Sequence, residues 1–92
     1  MYSYAEQRNA VFTERGQRLF LEIRDNTHRL LKLAGAARMQ EIMADSTGCS
    51  WDMLACVDRL VELEEIRELT KDDVCGQHRV FVSGRNAPEV DP

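Results

Sequence analysis

The chain has 92 residues, 43% hydrophobic and 30% charged with two prolines, which excludes disorder and fits one domain burying roughly two-thirds of its unfolded surface. Twelve Lys/Arg against 16 Asp/Glu leave a net charge of −4, which taken alone argues against strong nucleic-acid binding. No apolar run is long enough to span a bilayer, and Met1 to Arg8 lacks the features of a signal peptide, so a cytoplasmic protein is expected.

In chain order, residues 1–16 read as an N-terminal extension with helical character, carrying Val11 and Phe12. From about Thr13 to Leu33 the residues Leu19, Phe20, Ile23, Leu30 and Leu31 recur at helical intervals, and Gly35 suits a left-handed cap. Asp25-Asn26-Thr27 is the weak point of that helix. Met39, Ile42 and Met43 form one face of a short second helix ended by Ser46-Thr47-Gly48. Ser50 is a good N-cap and Asp52 places negative charge in the following turn, so a third helix is expected from there to about Leu63, with the stripe Met53, Leu54, Val57, Leu60 and Val61. Ile66 to Lys71, the turn-like Asp72 to Gln77, and Arg79 to Val82 then read as strand, turn and strand. Residues 84–92 are polar and proline-marked, and a flexible tail is expected.

Charge is uneven along this order. Residues 1–40 carry seven basic and four acidic side chains, a balance of +3, whereas 41–92 carry five basic and twelve acidic, a balance of −7. Cys49, Cys56 and Cys75 are odd in number and lack metal-knuckle spacing, so reduced, packed thiols are expected, without metal or cofactor. A thiol or metal sensor built on Cys49 and Cys56 with His78 is the alternative.

Two short helices joined by a glycine turn form a helix-turn-helix arrangement. Around Gly48, Ala44 stands where the helices must approach closely, and Met43, Cys49, Leu54 and Val57 stand where the crossing needs apolar residues. With Cys56 to Ile66 and the following hairpin, residues 17–83 resemble the winged-helix regulators of the MarR, ArsR and Lrp type. The resemblance implies a mainly α fold with a small β-hairpin, a three-helix winged helix-turn-helix. One departure is that Glu64 or Glu65 stands where those families carry glycine after the recognition helix.

The resemblance also implies a mechanism, in which the third helix enters the major groove and the wing lies on the backbone or in the minor groove. Carried over, the solvent side of the third helix holds Ser50, Trp51, Asp52, Ala55 and Arg59; Arg59 would meet guanine and Asp52 a cytosine amine. Ser50 and the free amides beside it suit phosphate. Gln77, His78 and Arg79 at the wing and Arg38 before the second helix complete the DNA-binding candidates. Plainer roles stay open: an ion network for Arg59, packing for Trp51, helix-start stabilisation for Asp52.

Residues 50–63 hold Asp52, Asp58 and Glu62 against Arg59, a balance of −2 on the element meant to approach a polyanion. Two functions from different classes are therefore expected: a DNA-binding transcriptional regulator acting as a homodimer through its N-terminal region, or a winged-helix protein-interaction module that does not bind DNA. An enzyme is not expected, since the two histidines are 50 residues apart and no nucleotide-loop or nucleophile-elbow motif is present.

Overall fold

The computed structural model describes residues 1–44, 46, 48–70 and 76–88. Four helices, α1 (Tyr4–Val11), α2 (Glu14–Ala34), α3 (Met39–Ala44) and α4 (Ser50–Glu62), dominate it. Three short strands, β1 (Ala37–Arg38), β2 (Ile66–Glu68) and β3 (Val80–Ser83), form a small antiparallel sheet in the order β1-β3-β2, with a single 3₁₀ turn at Gly76–His78 ahead of β3. The fold is thus mainly helical. Cys75, most of the expected 72–77 turn, Thr47 and the last four tail residues lie outside the described residues.

Each boundary of α2 has a local cause. Thr13 caps its start by accepting the Gly16 amide at 3.0 Å, and Gly35, at φ 78°, closes its end by donating to the Leu31 carbonyl at 2.8 Å. The Asp25-Asn26-Thr27 stretch does not break the helix. Thr27 is buried and its hydroxyl bonds back to the Ile23 carbonyl at 2.7 Å, while Asn26 donates to the Ser46 hydroxyl at 3.0 Å and fastens α2 to the connection before α4.

Helix α4 starts one residue differently from expectation, with Cys49 at the N-cap and Ser50 as the first helical residue. The Cys49 side chain makes no capping bond and is exposed, not packed between the helices as its place in the motif implied. At the other end no glycine is needed, because Glu64 itself takes the left-handed conformation at φ 61°. Residues beyond β3 hold that corner: Gly84 donates to the Glu65 carbonyl at 2.9 Å, and Asn86 donates to the carbonyls of Glu64 and Leu63 at 2.9 and 3.2 Å. The start of the expected flexible tail is therefore bound structure.

The core gathers between α2, α3, α4 and the inner face of the sheet. Ile23, Met39, Ile42, Val57, Leu60, Ile66 and Phe81 are all fully buried in it. The sheet register, Ala37 opposite Phe81 and Arg38 opposite Val80 on one side of β3, Arg67 opposite Val82 and Glu68 opposite Phe81 on the other, turns Phe81 inward at its centre. Strand β1, only two residues long, had no counterpart in the sequence expectation.

Candidate nucleic-acid interface

Helix α4 buries Met53, Cys56, Val57 and Leu60 toward the core, so the opposite side, turning through Asp52, Ala55, Asp58, Arg59 and Glu62, is the one a nucleic acid would meet. That side is covered by the protein's own N-terminus. Tyr2 donates its phenol to Asp58 at 2.6 Å, Tyr4 to Glu62 at 3.0 Å, and Gln7 its amide to Asp52 at 3.4 Å. Arg8 reaches both Glu62 oxygens, at 3.2 and 3.1 Å. Val11 is buried, and the Phe12 ring meets the guanidinium groups of Arg8 and Arg59, at 4.8 and 5.0 Å from its centre. The acidic surplus on α4 is thus matched by phenols, an amide and an arginine from residues 2–8.

Placement of the expected contacts follows from this cover. Ala55, expected on the solvent side, is completely buried because α1 needs a small residue there to approach. Asp52 is half-buried, and Arg59 is paired with Glu62 one turn away. Trp51 is 41% exposed and meets Tyr2 edge-on, with 6.3 Å between ring centres. Ser50 is exposed at the helix start, and Gln77 and His78 are exposed in the 3₁₀ turn. Arg38 is exposed at the end of β1, with its amide bonded to Glu41 at 3.2 Å.

Arg79, expected at phosphate, is instead a structural linchpin. It is 14% exposed and its guanidinium donates to Asp58 on α4 and Glu68 on β2, each at 2.7 Å. Burial works against its charge, yet the two carboxylates more than offset that and raise its pKa above the ordinary arginine value. Burial likewise opposes the Glu68 carboxylate, but bonds from Arg79 and Thr70 hold its pKa below normal.

Glu62 receives Arg8, Arg59 and Tyr4 together, and the bonds from those two arginines pull its pKa down from 4.5 to about 2. A carboxylate depressed in the folded state stabilises above its unfolded pKa and loses that contribution as pH falls through the folded one. The stability difference between wild type and Glu62→Gln is therefore expected to be full above pH 4.5 and to vanish as the pH falls toward about 2. Urea unfolding across that range checks it; a difference independent of pH contradicts the linkage.

Of the two described thiols, Cys49 is exposed and Cys56 is buried. Burial, reinforced by the Asp52 charge, pushes the Cys56 thiol up to about 12, which keeps it protonated and unreactive. No group of three His, Cys, Asp or Glu side chains suited to a metal occurs among them. A cleft of about 290 Å³ between the starts of α2 and α4 mixes Arg15 and Arg18 with Glu22 and Asp52. Among the described residues no helix is long and apolar enough to cross a membrane. Compared with protein families, curated proteins and solved structures, the chain matches none significantly.

Proposed function

We propose that the chain is a winged-helix module that works by binding a protein partner and does not read DNA with α4. Support for the winged-helix part is the element order helix, strand, helix, helix, strand, strand from α2 onward, with the last strand between the other two. The observation that carries the functional part is the cover of α1 over the α4 side that the DNA reading requires, with Asp52, Asp58, Arg59 and Glu62 already bonded within the chain.

The corner between α1 and α2 favours a fixed cover over a flap. Gln17 donates to the Val11 carbonyl at 2.6 Å, Thr13 donates its hydroxyl to the Ala10 carbonyl at 2.8 Å, and Gly16 lies against the same carbonyl. A DNA-binding regulator, homodimeric and cytoplasmic, is the second reading. It is favoured by Arg15, Arg18, Lys32, Arg38 and Arg67, which are exposed and have no acidic partner among the described residues.

Fluorescence anisotropy with a labelled mixed-sequence duplex at about 50 mM salt separates the two, since phosphate contacts dominate DNA affinity at low salt. No binding is expected, for wild type and for Arg59→Ala alike. Binding that falls steeply with salt and weakens in Arg59→Ala would overturn the proposal, because it requires α4 to be uncovered and in contact with the duplex.

A further inference from the structure

The outer face of the sheet has the make-up of a docking surface. The register places Arg38 beside Val80 and Arg67 beside Val82, and the Leu69 amide bonds to the Val80 carbonyl at 2.9 Å, which carries Leu69 to the same face by alternation. Val80 and Val82 are half-buried, and Leu69 is 54% exposed. The centre of the face is therefore apolar, with one arginine at each of two opposite corners.

Charge marks this surface within an acidic chain. Five other arginines are matched to acids, Arg8 and Arg59 to Glu62, Arg24 to Glu65, Arg79 to Asp58 and Glu68, Arg85 to Glu64. Arg15 and Arg18, exposed and unpaired among the described residues like Arg38 and Arg67, line the α2–α4 cleft beside Glu22 and Asp52 and flank no apolar strand face. Arg38 and Arg67 are exposed and meet no carboxylate with their guanidinium groups among the described residues. Two strand spacings and one two-residue step separate their Cα atoms, about 12 Å on the diagonal. Acids seven or eight positions apart on a helix lie about 10–12 Å apart, and a helix is the usual layer that covers a sheet face.

We propose that this face docks an amphipathic helix of another protein, its leucine-type stripe laid on Val80, Val82 and Leu69 and its acids, two turns apart, received by Arg38 and Arg67. The proposal rests on the protein-partner reading of the preceding subsection and names the surface and chemistry of that partner. A nucleic acid has phosphates for the arginines but nothing for the apolar centre.

The test uses the full chain, isotope-labelled, and a synthetic helical peptide of about 18 residues (five turns) with a leucine stripe and glutamates seven apart. Amide shifts are expected on β1, β2 and β3, with affinity falling on the order of tenfold in Arg38→Glu and in Arg67→Glu. Arg15→Glu, on α2, should leave it unchanged, and a peptide with glutamine for glutamate should bind weakly. Absence of shifts on this face, or shifts insensitive to both reversals, overturns the proposal. So does duplex DNA producing the same shifts, or concentration-dependent shifts of the protein alone, which would assign the face to nucleic acid or to a second copy. Duplex binding lost in Arg59→Ala would instead sink the parent reading, through residues this face does not contain.

Discussion

Replacing Arg79 with methionine is expected to lower folding stability by about 3–5 kcal/mol, the range for removing one partner of a buried ion network. Arg79, Asp58 and Glu68 are 14%, 15% and 24% exposed, so little solvent is at hand to rescue the carboxylates left behind. Asp58 would keep the Tyr2 phenol but no cation, and Glu68 would keep only the Thr70 hydroxyl. The guanidinium also packs over the Phe81 ring, 5.1 Å from its centre, so the edge of the core loses contact too. Adding Asp58→Asn to the same chain should recover part of the loss, because one orphaned charge is removed. Urea unfolding measures both. A loss under about 1 kcal/mol, as for a solvent-exposed pair, would show that Arg79 holds nothing together and return it to the surface contacts.

Gly16→Ala should be the next most damaging change, on the order of 3 kcal/mol, at the upper end of what overpacking costs. A Cβ at Gly16 would stand 1.8 Å from the Ala10 carbonyl oxygen and 2.9 Å from the Val11 carbonyl carbon, which are backbone atoms with no rotamer to change. The corner must open. Opening it separates α1 from α4, and Trp51, the only tryptophan, sits edge-on to Tyr2 and reports the separation as a shift in emission. Alanine at Gly76, where a Cβ would rest 3.7 Å from Leu54, serves as the comparison and should cost little. If Gly16→Ala leaves emission and stability at wild-type values, the tight α1–α2 corner is not what seats the cover.

What the sequence disclosed depended on which forces act at each element. Helices α2 and α4 bury apolar stripes, so Ile23 and Leu31 in one and Met53, Val57 and Leu60 in the other announce them by spacing. Strand β3 shows through Val80-Phe81-Val82. Helix α1 has no such stripe: it buries Val11 alone and holds on by Tyr2, Tyr4, Gln7 and Arg8, polar groups whose partners lie more than 40 residues away. Two residues are too few for β1 to have any periodicity.

The same limit governs the interface. Asp52, Asp58 and Glu62 read as an obstacle to DNA, and their excess was itself the signal that something other than phosphate lies against α4. Ala55, small amid charged neighbours, marked the place where another backbone comes close. Arg79 at the start of β3 could not be told from a surface contact, because its two carboxylates sit on α4 and β2, brought together only by the fold. The outer sheet face is legible only once the register of three strands is known.

The covering of α4 by the first residues of the chain has a consequence during synthesis. Tyr2 and Asp58 are 56 positions apart, and Tyr4 and Glu62 are 58 apart. At ribosomal speeds residues 2–4 would wait roughly 3–10 s for their partners on α4 to be made. Through that interval Tyr2 and Tyr4 lack the carboxylates they bond to in the folded chain, and Val11 lacks its buried site. A chain stalled before residue 58 should therefore leave its N-terminus open to protease, and one released in full should protect it.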